Sequence, residues 1–65
     1  MNVTINGEKV AVSPGSTIVE ALEGYGLPQS FVVELNGEII DNNNLADYLL
    51  NDSDILEIIR FVGGG

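Results

Sequence analysis

The sequence predicts a single α+β domain in which a mixed sheet of about five strands packs on one main helix. Three observations support this prediction. The length of 65 residues allows one small hydrophobic core, apolar and polar residues alternate near both ends of the chain, and one stretch before the middle has apolar residues at helical spacing. The chain contains no cysteine and no histidine, so neither disulfides nor the usual zinc ligands can add stability.

The first 13 residues predict a β-hairpin. Apolar and polar residues alternate over residues 2–6 and again over residues 9–13. Between these runs lies Asn6-Gly7, a pair that favours a type I′ turn because both central positions of that turn need a positive φ.

A helix is predicted over residues 17–25. Thr17 and Glu20 have the spacing of a capping box, in which each side chain accepts a hydrogen bond from the other residue's free N–H group. Gly24 or Gly26 can end the helix, and Pro28 prevents it from resuming. The apolar face of this helix consists of Ile18, Ala21, Leu22 and Tyr25.

The second half of the chain predicts three further strands. Residues 31–36 form the first of them, and Asn36-Gly37 is a second turn signal before a short strand through Ile39 and Ile40. The rest is assigned as a loop at residues 41–44, one or two helical turns at residues 45–50, a turn at residues 51–54 and a final strand at residues 55–62.

This order of elements limits the topology. A sheet with one helix buries its apolar face most simply by wrapping that face around the helix. For the first and last strands to lie side by side they must pair in parallel, with the helix as part of the crossover. The prediction is therefore a β-grasp domain over residues 1–62, followed by a flexible glycine tail at residues 63–65.

The charge balance excludes several classes of partner. Ten acidic residues stand against Lys9 and Arg60, which gives a net charge of −8. Two cationic side chains cannot neutralise the phosphates of a nucleic acid or attract an anionic membrane, whereas an acidic protein can be steered towards a basic protein surface. No segment has the apolar length of a membrane span, and a cytoplasmic protein is expected.

The residues present do not support an enzyme. Without histidine, the serines lack the usual general base, so no catalytic residue is assigned. Asp52 and Asp54 have a spacing that occurs in cation sites, but too few oxygen ligands accompany them, and a turn before a strand is the favoured interpretation. No metal site is predicted.

A docking surface is predicted beside the tail. If Leu56 and Ile58 face the core, Ile59 and Phe61 lie on the opposite side of the last strand, where an apolar patch can bind a partner. The alternative is that a small sheet has two apolar faces. The docking residues assigned on this basis are Ile59, Arg60, Phe61 and Val62.

Several stretches together carry a family resemblance. They are the Asn-Gly-Glu turns at residues 6–8 and 36–38, the run Ser-Pro-Gly-Ser-Thr-Ile at residues 13–18, and the ending at residues 54–65. With these features the whole chain resembles the ThiS family, the small sulfur carriers of thiamin thiazole synthesis, and it is similar in fold and ending to ubiquitin. It departs from the common ThiS pattern at residues 41–45, where a proline, a basic residue and an aromatic residue are frequent.

The resemblance implies a function for the tail. Gly65 would be adenylated with ATP on a separate, ubiquitin-activating-like enzyme and converted to a thiocarboxylate by sulfur from a donor protein such as a cysteine desulfurase; no cofactor would be bound by the carrier itself. Thiazole synthase would then take the sulfur. Gly64 and Gly63 would let the tail enter a narrow active site, since glycine has no side chain to clash, and three extended residues reach about 10 Å.

Other functions share this fold and ending. A molybdopterin-type sulfur carrier has the same chemistry with another destination, a ubiquitin-like modifier is attached to lysines, and a structural β-grasp module has no use for its tail. Products linked through lysine, or function that survives loss of the tail, would favour the last two.

Overall fold

The computed structural model describes residues 1–61 of the chain. Five strands, one short α-helix and one 3-10 helix make up the described part. In chain order they are β1 (Asn2–Ile5), β2 (Glu8–Ala11), α1 (Ile18–Ala21), β3 (Phe31–Leu35), β4 (Glu38–Ile40), the 3-10 helix (Asn42–Asn44) and β5 (Ile55–Arg60).

All five strands form one mixed sheet in the order β2-β1-β5-β3-β4. The pairing of β1 with β5 is parallel, and the other three pairings are antiparallel. The predicted β-grasp arrangement is therefore confirmed. Its main consequence is that β5, the last strand in the chain, lies at the centre of the sheet between β1 and β3.

Both Asn-Gly pairs make the turns that the sequence predicts. The backbone φ is 50° at Asn6 and 85° at Gly7, and the second pair repeats these values with 51° at Asn36 and 89° at Gly37. Positive φ at both central positions matches the right-handed twist of the flanking strands. Two tight hairpins, β1–β2 and β3–β4, therefore form the two lateral halves of the sheet, on either side of β5.

The predicted capping box is present, but the helix is shorter than predicted. Thr17 Oγ1 accepts a hydrogen bond from the Glu20 N–H at 3.2 Å, and Glu20 Oε1 accepts one from the Thr17 N–H at 2.9 Å. The helix ends at Ala21 instead of residue 25. Beyond it the Glu23 N–H donates to the Glu20 carbonyl three residues earlier, and Gly24 has a φ of 86°, so the chain tightens and leaves the helical path.

The assignment of residues 41–50 is wrong. The helical turn lies earlier, at Asn42–Asn44, where Asp41 Oδ1 accepts a hydrogen bond from the Asn43 N–H at 2.8 Å. Residues 45–50 are not helical, because tertiary contacts draw them out towards the start of α1. Leu49 forms an isolated antiparallel bridge with Thr17, and Leu45 and Leu50 are buried.

The sheet has one buried face and one open face. Successive side chains of a strand point to opposite sides, and alternate strand residues pack with α1 in one core: Val3, Ile5, Ile18, Ala21, Leu22, Val33, Ile40, Leu45, Leu50 and Leu56. We call the other side the open face. On the neighbouring strands β5, β3 and β4, the open face carries Ile55, Glu57 and Ile59 of β5, Val32 and Glu34 of β3, and Ile39 of β4.

Candidate functional site

The candidate site is the end of β5, the strand that leads towards the glycine tail. β1 pairs with the first two residues of this strand and β3 pairs with residues 56–60, so Leu56 is paired on both sides, with Ile5 of β1 and with Leu35 of β3. Leu56 itself has no exposed surface. The strand that leads to the C-terminal residues is therefore paired on both sides at its start and with β3 at its end.

The asparagines of the two turns hold β5 with their side chains. Asn6 Oδ1 accepts a hydrogen bond from the Ile58 N–H at 2.8 Å, across 52 residues of sequence. Asn36 Oδ1 accepts one from the Ile55 N–H at 2.9 Å, and the Asn36 amide also donates to Asp54 Oδ1 at 3.0 Å.

Each of these side-chain oxygens stands where a backbone carbonyl would stand in a regular ladder. The Asn6 N–H donates to the Leu56 carbonyl, and the Asn36 N–H donates to the Ile55 carbonyl, so both turns begin their pairing with β5 as a regular strand would. The turn then directs the backbone away, and the side chain completes the pairing. Each asparagine therefore has two roles. It adopts the positive φ that its turn needs, and its side-chain oxygen fixes the position of β5.

This arrangement predicts a stability effect at Asn6. Asn6→Gly keeps the positive φ but removes the acceptor for the Ile58 N–H, and we expect it to lower the free energy of unfolding by about 1 kcal/mol. Asn6→Asp keeps an acceptor oxygen and should lose less. Urea unfolding of the three proteins measures both values. Equal losses in the two variants would mean that the acceptor oxygen is not what matters at this position.

The structure places the predicted docking residues as follows. Phe61 is 57% exposed, and Ile59 is half-buried on the open face beside Val32. Arg60 is exposed at the end of β5, in register with Phe31 on the core side of the sheet. Val62 and the tail residues Gly63, Gly64 and Gly65 lie outside the described residues.

The Asp52 and Asp54 side chains serve the turn before β5, as the favoured interpretation of their spacing predicts. Asp52 Oδ1 accepts a hydrogen bond from the Asn2 N–H at 2.8 Å, and Asp54 Oδ2 accepts one from the Asn51 N–H at 2.7 Å. Within residues 1–61 no group of three or more histidine, cysteine, aspartate or glutamate side chains is placed to hold a metal ion. No helix of that part of the chain is long and apolar enough to cross a membrane.

Residues 41–45, which depart from the resembled family pattern, have structural contacts. Asn42 Nδ2 donates a hydrogen bond to the Phe31 carbonyl at 2.9 Å, and Leu45 is buried in the core. This segment therefore holds the start of β3, the strand that lies beside the end of β5.

Comparisons with known proteins agree with this fold and ending. The family model described as "ThiS family" matches residues 2–65 of the chain. The chain is 40% identical to the sulfur carrier protein ThiS of Bacillus subtilis over 63 residues, which cover 94% of this chain and 96% of that protein. It is also 39% identical over 66 residues to a thiazole synthase of Paramagnetospirillum magneticum, but it spans only 20% of that protein's length.

A solved structure extends the similarity to three dimensions. The crystal structure of a thiamine biosynthesis protein (ThiS) from Geobacter metallireducens superimposes with a TM-score of 0.81 at 32% sequence identity, and the match covers the whole of both chains. The family match includes the three terminal glycines as well as the sheet that precedes them. On these grounds the chain belongs to the ThiS family.

Proposed function

We propose that this protein is a sulfur carrier for the thiazole ring of thiamine, and that its C-terminal carboxylate is the group that carries the sulfur. The observation that carries the proposal is the family match over residues 2–65, which joins the folded domain to the glycine tail. The Bacillus subtilis relative of nearly equal length is named a sulfur carrier protein. In this proposal the protein is a carrier and not an enzyme.

The chemistry starts at the Gly65 carboxylate. A carboxylate is a poor electrophile, so one of its oxygens first attacks the α-phosphate of ATP on an activating enzyme, which forms an acyl-adenylate and releases pyrophosphate. The terminal sulfur of a protein persulfide then displaces AMP, and a thiol reduces the resulting S–S bond to leave the thiocarboxylate. ATP belongs to the activating enzyme, and the carrier binds no cofactor of its own.

Gly63 and Gly64 suit the passage of Gly65 into such an active site. Without a Cβ, the backbone can approach a nucleotide closely and pass through a narrow channel. β5 is the strand that precedes the tail in the chain, and its pairing with β1 and β3 holds it in the sheet.

Thiazole synthase is the proposed sulfur acceptor. Support comes from the Paramagnetospirillum magneticum thiazole synthase, a fifth of which corresponds to the whole of this chain. A thiazole synthase that contains a segment similar to this chain supports the proposal that the carrier and thiazole synthase act together. A sulfur donor such as a cysteine desulfurase completes the proposed set of partners, and the need for ATP fits a cytoplasmic location.

Mass spectrometry of the intact protein tests the proposal. After co-expression with an activating enzyme and a sulfur source, we expect a species in which sulfur has replaced one oxygen of the Gly65 carboxylate. The Bacillus subtilis relative, treated in the same way, serves as the control. Only unmodified carboxylate, under conditions that charge the control, would contradict the proposal.

A further inference from the structure

Two carboxylates face each other at the centre of the open face. Glu34 of β3 and Glu57 of β5 are direct cross-strand partners in the antiparallel pairing. Side chains at such positions are close neighbours, and like charges directly opposite each other destabilise a sheet. Repulsion between these two carboxylates therefore lowers the stability of the sheet at this pair.

Within residues 1–61, no cationic side chain lies next to this pair to offset the repulsion. The cationic side chains of the chain are Lys9 and Arg60. Lys9 shares the open face through its pairing with Thr4, but it lies on β2, which β1 separates from β5. Arg60 lies on β5 but three positions from Glu57, so its side chain leaves the strand on the other side of the sheet.

Apolar side chains surround the two carboxylates. Along β5, Ile55 and Ile59 flank Glu57, and Ile55 is 50% exposed. On the side of β3 and β4, Val32 neighbours Glu34 along the strand, and Ile39, 67% exposed, lies directly across from it. A partner that brings one positive charge to this place can pair it with both carboxylates and cover the apolar side chains beside them.

This face extends to the end of β5. Glu57 lies four residues before Phe61, which is about 13 Å along a strand. A protein interface of ordinary size covers about 800 Å² on each partner, enough to include both carboxylates and the end of β5. A partner bound at the end of β5 is therefore large enough to cover Glu34 and Glu57 as well.

We propose that Glu34 and Glu57, at the centre of the open face, together bind one arginine or lysine side chain of the enzyme that activates the tail. Val32, Ile39 and Ile59 provide the apolar contact around it. An arginine suits the position because its planar guanidinium can bond to two carboxylate groups at once. This inference rests on the proposed function, since it assumes an activating enzyme.

A second copy of the chain is a poor alternative occupant. Two open faces brought together would place acidic pairs near acidic pairs, in a protein whose net charge is already −8. Repulsion between desolvated like charges opposes such a contact. The occupant must instead bring a positive charge.

The test uses the neutral double variant Glu34→Gln/Glu57→Gln, with Glu8→Gln/Glu23→Gln as the matched control. Both pairs of substitutions remove two negative charges, but Glu8 and Glu23 are exposed residues outside the open face. We expect the first variant to raise the dissociation constant for the activating enzyme about tenfold or more. The control should change it less than about threefold at physiological salt, where separated surface charges are screened.

Thermal unfolding provides a second readout. Loss of the like-charge contact should leave the melting temperature of Glu34→Gln/Glu57→Gln equal to or above that of the unmodified protein. If Glu34→Gln/Glu57→Gln binds the activating enzyme more weakly but is no less stable, the two carboxylates act in the interface and not in the fold. A lowered melting temperature would instead make the pair part of the fold and overturn the inference.

The outcomes separate this inference from the proposed function. If the unmodified protein binds and is adenylated but Glu34→Gln/Glu57→Gln binds equally well, the docking proposal is wrong and the carrier function stands. If the unmodified protein does not bind the enzyme at all, both are wrong. Sedimentation as a dimer that Glu34→Gln/Glu57→Gln strengthens, with unchanged enzyme binding, would assign the face to a second copy.

Discussion

Deletion of Gly64 and Gly65 is expected to abolish thiocarboxylate formation while leaving the domain folded. The shortened chain still ends in a carboxylate, but that group lies about 7 Å short of its normal reach. The buried core runs from Val3 to Leu56, so the free energy of unfolding should change by less than about 0.5 kcal/mol. Mass spectrometry after co-expression with the activating enzyme, together with a thermal melt, measures both effects.

A variant of unchanged length provides the control for this deletion. Glu8→Gln/Glu23→Gln keeps all three terminal glycines and changes only exposed residues outside the open face, so it should still be charged. Charging of the shortened protein would show that reach does not matter and would contradict the proposed role of the tail. A large drop in melting temperature would mean that the tail packs on the domain.

Leu56→Ala is expected to unfold most of the protein. Leu56 is fully buried at the centre of the sheet, between Ile5 and Leu35. Leucine-to-alanine changes in a core cost about 2–5 kcal/mol, and a single core in a domain of this size supplies only about 3–5 kcal/mol of stability. Circular dichroism and urea unfolding should show loss of the folded baseline near room temperature.

The adjacent residue gives a matched comparison. Ile55→Ala removes a side chain of similar size from the open face, where half of it is already exposed, so we expect a loss of about 1 kcal/mol or less. Similar losses at positions 55 and 56 would contradict the division of the sheet into a buried and an open face.

The elements that the sequence predicts well are those set by local chemistry. Asn6-Gly7 and Asn36-Gly37 specify their turns through backbone φ alone, and Thr17 with Glu20 specifies the start of α1. The early end of α1 comes from the tightened turn before Gly24, and the course of residues 45–50 depends on the bridge between Thr17 and Leu49. No pattern within residues 45–50 indicates that contact, so the prediction of a helical turn there was wrong.

The same distinction applies to the site. The glycine tail is visible as a sequence pattern, although its structure lies outside the described residues, and the exposure of Phe61 follows from strand alternation. Glu34 and Glu57 face each other because of the register between β3 and β5. Patterns in a single sequence do not determine that register. The side-chain bonds from Asn6 and Asn36 were also missed, although the repeated Asn-Gly-Glu motif was a signal that these positions have a shared role.

The central position of β5 also has a consequence for how the protein is made. On the ribosome β1, β2, β3 and β4 emerge first. Among the strands of residues 1–61, only β5 joins the two hairpins, through contacts as distant as the bond between Asn6 and Ile58 across 52 residues. Such long-range pairing forms late because its loop-closure entropy is large. A partly synthesised chain therefore has neither a complete sheet nor a docking face, and we expect the activating enzyme to ignore nascent and truncated carriers without any separate proofreading step.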